Sequence, residues 1–354
     1  MTGSLRAAEA PWARRPLADL LSAHGLAGVR EEPFPNNGWS GAELTRLVRP
    51  DGAAFIVKRT SWSMDWIARS TRDHALREAV VAADPIPFQL PLSNAYLGAA
   101  IDDGRAAILM PDLSAELLPW DEDAGAIDRA TLDRVLEAFA ALHALPWAQL
   151  RARPEGLRWP WCPLRERIEL LTPAAAQRYE AGGLSIGRRF LEGWAAFERL
   201  APAGAVEVIA RLGRDSKPLL DALGRMPAAG LHGDLKLANV ALRPDGSVAF
   251  IDWQMTAFAP IAVDLGWFLV SNVSQLPAEP EAVFERYLAF AGPSAAVGDP
   301  EQQLDLTILV GLLLRGWRKG LDAEAGLMLP TGQSAVDDLR WWSERAMIAA
   351  HRRL

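Results

Sequence analysis

The chain has 354 residues, with 37 Lys and Arg against 44 Asp and Glu, a formal net charge of −7, and 50% hydrophobic and 23% charged residues. It is too long for one small core and suits two lobes, its composition is globular, and its negative balance argues against nucleic acid or an anionic membrane surface as the main partner. The one cysteine, Cys162, excludes an internal disulfide, which suits the cytoplasm. Arg6, Glu9, Arg14 and Arg15 near the start precede no apolar run of secretory-signal length, and the longest apolar helix candidate, Leu306 to Leu314, is about half a membrane span.

In chain order, residues 16–26 have the spacing of a short helix stopped at Gly25, and Val29 to Phe34 predicts a strand. Pro35-Asn36-Asn37-Gly38-Trp39-Ser40-Gly41 is dense in turn formers. Strands at Glu43 to Val48 and Ala53 to Lys58 follow, joined by Arg49-Pro50-Asp51-Gly52. Residues 63–83 read as one helix, with Trp66, Ile67, Leu76, Val80 and Val81 available for one face and Glu78 well inside it. Strands at Asn94 to Ile101 and Ala106 to Met110 flank the turn Asp102-Asp103-Gly104 and complete a five-stranded sheet.

After Leu109-Met110-Pro111-Asp112-Leu113 the pattern turns helical. Residues 127–144 carry Leu132, Val135, Leu136, Phe139 and Leu142 at helical spacing. His143 reads as a buried structural histidine, because nothing near it in sequence offers it chemistry. Residues 163–224 predict two or three more helices, and 260–271, 280–291, 300–319 and 333–353 predict one each. No repeat and no third domain emerges.

Between the helical stretches stands the run Leu231-His232-Gly233-Asp234-Leu235-Lys236-Leu237-Ala238-Asn239, then Pro244-Asp245-Gly246, then Val248-Ala249-Phe250-Ile251-Asp252-Trp253. It predicts a loop, a strand, a tight hairpin and a buried strand, which bring the oxygens of Asp234, Asn239 and Asp252 together. Phosphoryl transfer from a nucleotide needs such a set: a carboxylate to orient and deprotonate the acceptor hydroxyl, and oxygen ligands for Mg²⁺. His232-Gly233-Asp234 with Asn239, then Ile251-Asp252-Trp253, resembles the H-G-D-x-x-x-x-N and I-D-[WF] pair of the aminoglycoside phosphotransferase family, relatives of the protein kinases.

That resemblance implies an α+β, bilobal protein-kinase-like fold, with a small β-rich N-lobe bearing one helix (1–110, nucleotide-binding) and a larger, mainly helical C-lobe (111–354, catalytic and acceptor-binding). It implies Asp234 as catalytic base, Asn239 and Asp252 as Mg²⁺ ligands, and ATP as cofactor. Lys236 could neutralise the phosphoryl group in flight. In the same frame Gly38, Ser40 and Gly41 belong to the loop over the phosphates, although that loop lacks the full G-x-G-x-x-G. Lys58, in Phe55-Ile56-Val57-Lys58, resembles the V-A-I-K lysine, and Glu78 its helical partner, with Asp73 as the alternative. Met110 and Asp112 fall at the hinge that reads the base, where Pro111 removes one backbone donor. Asp264, in Val263-Asp264-Leu265-Gly266, resembles the aspartate that braces the catalytic loop.

The leading expectation is therefore an ATP- and Mg²⁺-dependent kinase of a small hydroxylated molecule such as a sugar, amino sugar or similar polyol, cytoplasmic and a monomer or homodimer, with no nucleic acid or membrane partner. The stretch after Asp252 runs into Trp253 to Pro260 with no long activation segment and no A-P-E, which leaves no platform for a peptide substrate. A nucleotide-binding pseudokinase scaffold is the alternative, opposed by the presence of Lys58, Asp234, Asn239 and Asp252 together; a hydrolase built on His232 and Asp234 is a third. Among the 14 tryptophans, Trp159-Pro160-Trp161 and Trp341-Trp342 each predict one partly exposed indole, with Trp161 and Trp341 as acceptor-stacking candidates. Asp337, Asp338 and Glu344 beside the second pair tilt that expectation toward a neutral or cationic polyol.

Overall fold

The computed structural model describes residues 6–36, 38–86, 88–119, 125–152, 159–294 and 296–354. In chain order the first elements are α1 (Leu17–Ala23), β1 (Glu31–Phe34), β2 (Glu43–Val48), β3 (Ala54–Thr60), α2 (Trp66–Ser70), α3 (Arg77–Ala83), β4 (Leu92–Ser93), β5 (Gly98–Asp102) and β6 (Arg105–Pro111). Then come α4 (Arg129–His143), α5 (Trp147–Ala152), α6 (Leu164–Glu169), α7 (Pro173–Ala181), α8 (Ser185–Leu200), α9 (Ala203–Arg214) and α10 (Lys217–Leu223). Last are β7 (Ala229–Leu231), β8 (Val240–Leu242), β9 (Val248–Phe250), β10 (Ala257–Ala259), α11 (Ala262–Ser271), α12 (Pro280–Ala291), α13 (Pro300–Glu324) and α14 (Ala335–Arg353). This is the α+β, protein-kinase-like arrangement of a strand-rich and a helix-rich part. The described residues form two compact units, one drawn from Met1–Leu118, Pro146–Cys162 and Asn239–Thr256, the other from Pro119–Leu145, Pro163–Ala238 and Ala257–Leu354.

In the first unit an antiparallel sheet has the order β1-β2-β3-β6-β5. Its register sets Lys58 opposite Leu44 on one side and Ile108 on the other. One face buries Leu47, Val57, Ala100, Ala107 and Leu109 against Leu17 and Leu20 of α1 and Leu26, as alternation along half-buried strands requires. The β5–β6 turn places Asp103 (φ 48°) and Gly104 (φ 74°) in the left-handed region, as a two-residue hairpin turn demands. A second hairpin, β8–β9, extends by a parallel pairing of β4 with β9, and Ala241 and Ala249 pack on Ala95 and Leu113.

The single helix expected over 63–83 is broken into α2 and α3. Asp65 caps α2 by accepting from Ile67 and Ala68, and Asp73 accepts from the Arg77 amide at 2.8 Å at the start of α3. Arg72 (φ 54°) and Leu76 (φ 57°) turn the chain between them. Arg77 holds that turn: its guanidinium donates to Thr71 Oγ1 and O, to Pro160 O and to Gln254 O. Two aspartates in a helical pattern thus act as caps, and a buried arginine satisfies the carbonyls that the break exposes.

In the second unit residues 163–224 form five helices, α6 to α10, where two or three were expected. The additional breaks fall where Pro173 begins α7 at its first position, at Gly182-Gly183, and at Pro202 before α9. Helix α13, capped by Asp299, buries nearly its whole middle against α8, α11 and α14. Close approach depends on small residues, since a Cβ at Gly320 would meet the Phe197 amide nitrogen at 2.5 Å. The apolar run from Leu306 to Leu314 is core, and among the described residues no helix is long and apolar enough to cross a membrane.

Candidate active site

In the first unit, β3 presents Lys58 and α3 presents Glu78, twenty residues apart in sequence. Lys58 Nζ donates to Glu78 Oε2 at 2.6 Å and to Asp252 Oδ1 at 2.9 Å. Tyr96 closes the ring, donating its hydroxyl to Glu78 Oε1 at 2.8 Å while accepting from the Asp252 amide at 2.8 Å. Desolvation pulls the Lys58 ammonium down, but Asp252 and Glu78 outweigh it and hold its pKa above the usual lysine value. Burial raises the Glu78 carboxyl against the pull of Lys58, and burial beside Glu78 and Asp252 raises the Tyr96 phenol. Asp73, the other candidate partner for Lys58, is spent on the α3 cap instead.

Asp252 sits at φ 67°, ψ 53°, a left-handed conformation that costs a non-glycine residue roughly 1 kcal/mol or more. Pairing of Val240 with Phe250 and an Ile251 N to Asn239 O bond of 3.0 Å set Asn239 and Asp252 at one end of the β8–β9 hairpin. A carboxylate with 30% side-chain exposure and a neighbouring amide make a hard oxygen donor pair. That set fits Mg²⁺, which takes one or two protein oxygens and completes its shell with water and phosphate. Among the described residues no cluster of three or more His, Cys, Asp and Glu forms a metal cage.

In the second unit the loop after β7 is clamped from α11. Asp264 accepts from the Gly233 amide at 2.8 Å through Oδ1 and from the His232 amide at 2.9 Å through Oδ2. Oδ2 also meets His143 Nε2 at 3.2 Å, and His143 Nδ1 meets the Tyr287 hydroxyl at 2.9 Å. The imidazole thereby links α4 to α11 and α12 behind the loop. His232 Nδ1 accepts from the Asp234 amide at 3.2 Å, Asn272 Oδ1 accepts from the Leu237 amide at 2.9 Å, and Arg167 Nε donates to Gly233 O at 2.9 Å. These bonds tie down the backbone on both sides of Asp234. Its carboxylate lies 3.3 Å from Lys236 Nζ and keeps 15% exposure.

The remaining predicted residues occupy the first unit. Gly41 (φ 92°) has no room for a side chain, since a Cβ would meet Met64 O at 2.7 Å. Asn36 bridges the turn, accepting from the Gly38 amide at 2.7 Å and donating to Ala42 O, while Trp66 Nε1 donates to Trp39 O at 2.7 Å; Ser40 is half-buried. Met110 is buried at the end of β6. Asp112 donates its amide to Ala54 O at 2.9 Å and engages Arg46 and Ser114 with its carboxylate, so its own amide is already spent.

A family model described as the phosphotransferase enzyme family, APH, matches residues 35–297. The chain belongs to that family. No curated protein matches it. Similar solved structures include an aminoglycoside phosphotransferase from Alicyclobacillus acidocaldarius, 14% identical over 96% of this chain and 90% of that one, with a TM-score of 0.43. A choline kinase from Streptococcus pneumoniae is 12% identical over 94% and 98%, TM-score 0.47, and an ethanolamine kinase from Plasmodium vivax is 10% identical over 93% and 85%, TM-score 0.48.

For this member of the phosphotransferase family, sequence reading missed Tyr96, Arg167, Asn272 and Tyr287, all of which act through contacts distant in sequence. The signal for Tyr96 was scarcity, as it is one of three tyrosines and lies in an otherwise apolar run just before β5. The tryptophans are mostly core: Trp147, Trp159, Trp194, Trp253, Trp267, Trp317 and Trp342 are buried, while Trp161 and Trp341 are half-buried. Of the acidic residues near Trp341, Asp338 is buried and paired with Lys319, and Asp337 caps α14 with Ser334. Asp338 is therefore spent inside the fold and lends no negative charge to an acceptor.

Proposed function

We propose that this phosphotransferase moves the γ-phosphoryl group of ATP, with Mg²⁺, to a hydroxyl of a small molecule. The ring of Lys58, Glu78, Tyr96 and Asp252 carries the reading. It holds one lysine and two carboxylates, with the partly open carboxylate on a strained backbone, so it has charge left for a cation-bearing polyphosphate. Residues 1–110 are the nucleotide-binding lobe in this reading, and 111–354 the catalytic and acceptor-binding lobe. Lys58 holds the α- and β-phosphates and Glu78 fixes Lys58. Gly38, Ser40 and Gly41 cover the phosphates, and the base lies along Met110 to Asp112.

Asn239 and Asp252 would hold Mg²⁺, which neutralises charge on the phosphates when bound. Asp234 accepts the acceptor proton as the new P–O bond forms and the bond to the β-phosphate oxygen breaks, releasing ADP. Lys236 offsets charge on the phosphoryl group. The deciding experiment is ADP release across an acceptor panel with Mg·ATP. Asp234→Ala should cut turnover at least about 100-fold with the nucleotide Kd kept, and Asp252→Ala should raise the Mg²⁺ requirement more than Asn239→Ala. Nucleotide binding with no turnover on any acceptor would instead mark a scaffold.

A further inference from the structure

Within the second unit, the indole of Trp267 on α11 meets two guanidinia, with Arg167 Cζ 4.7 Å and Arg315 Cζ 5.3 Å from its ring centroid. Arg167, 1% exposed, donates to the carbonyl of Gly233, so this stack adjoins the residue before Asp234. Arg315, on α13, also stands 5.0 Å from the Trp317 ring. Among the described residues its guanidinium makes no hydrogen bond and no ion pair, and both its Nε and Trp267 Nε1 are buried without a partner.

Arg315 is half-buried, and three buried cations are used differently. Arg59 has Glu31, Asp102 and Thr45; Arg77 has Thr71, Pro160 and Gln254; Lys319 has Asp338. An Nε–H withdrawn from water costs free energy unless it is met, and the stacking of two indoles offsets only part of that. Burial lowers the Arg315 pKa to about 10, with Asp322 and Asp234 pulling it up and Arg189 pushing it down, so the group stays charged at neutral pH.

A charged fork with unspent donors, walled by aromatic faces beside the loop of Asp234, matches the geometry of a carboxylate or phosphate. We propose that the acceptor carries an oxyanion besides its reacting hydroxyl, and that Arg315 binds this group against Trp267. The inference rests on the reading of Asp234 as the base that receives the acceptor. Cationic acceptors would meet Arg315 and be turned away, which reverses the tilt drawn from Asp337, Asp338 and Glu344.

The test compares four ligands of one hexose skeleton, a sugar acid, a sugar phosphate, the neutral sugar and the amino sugar, by calorimetry on the full chain with Mg·ADP present. The expected result is that the sugar acid or the sugar phosphate binds at least about tenfold more tightly than the neutral and amino forms, and the stronger of the two identifies the oxyanion. Arg315→Met should erase the preference and Arg315→Lys should keep part of it, with the Mg·ADP Kd unchanged in both. Equal binding of all four, preference for the amino sugar, or no measurable binding of the anionic pair overturns the proposal, and the wild-type series decides this even if Arg315→Met fails to fold. A loss of Mg·ADP binding in the wild type would instead sink the phosphotransferase mechanism, so the two failures are distinguishable.

Discussion

Lys319 and Lys58 each meet carboxylates inside the fold, and the two assemblies differ in stoichiometry. In the helical unit Lys319 of α13 meets Asp338 of α14 one to one, with side chains 1% and 5% exposed and the Trp342 ring 4.8 Å from the ammonium. In the strand-rich unit Lys58 faces two carboxylates, and Asp252 keeps 30% exposure on a left-handed backbone. The first is neutral and sealed, which is how a fold closes a polar contact in its core. The second has surplus negative charge, strain and an opening, features that packing alone would not maintain and that a bound cation and phosphate would satisfy.

If that distinction is right, the largest effect on stability comes from the sealed pair. Lys319→Met should cost about 3–5 kcal/mol in urea unfolding, because Asp338 is left buried and unpaired, while nucleotide Kd in the folded protein stays the same. Recovery of most of that loss in Lys319→Met/Asp338→Leu would mark the pair as structural. Lys58→Met should act mainly on catalysis, with kcat/KM for ATP falling by about 10²–10³. A stability loss as large as that of Lys319→Met with unchanged kinetics would erase the distinction.

Asp73 sharpens the comparison as a buried carboxylate whose nearest cation, Arg77 Nη1, is 3.6 Å away. Burial raises its pKa to about 6, against the pull of Arg77. The unfolded chain therefore releases this proton near pH 4 and the folded one only near 6. Stability is lost as pH rises across that interval, by up to about 3 kcal/mol. Asp73→Asn should flatten the slope, and an unchanged pH profile of unfolding would show that Asp73 is already ionised at acid pH. The smallest effect is expected for Tyr96→Phe, about 1 kcal/mol. It should come with a raised Mg²⁺ requirement as Asp252 loses its backbone anchor, and wild-type metal dependence would remove Tyr96 from the site.

The elements legible in advance were those whose cause is local. The five strands, the Asp103-Gly104 turn and the β8–β9 hairpin follow from alternation and turn chemistry, and the hairpin gathers Asn239 and Asp252 within a dozen or so residues. Lys58 and Glu78 were readable through resemblance, as strand and helix positions twenty residues apart. The broken helix at 71–76 was not, because nothing local marks Asp65 and Asp73 as helix ends until Gln254 meets the first and the Arg77 amide the second.

By itself, then, the sequence determined the strand and helix periods, the acidic motif and membership of a phosphotransferase family, since each depends on short-range spacing that backbone geometry enforces. Tertiary structure alone decided that His143 reaches Asp264 across 121 residues, that Arg167 reaches Gly233 across 66, that Tyr96 ties Glu78 to Asp252, and that Arg315 is left between two indoles. The physical reason is that a buried polar group takes whichever partner packing brings within 3 Å, and that choice has no period along the chain.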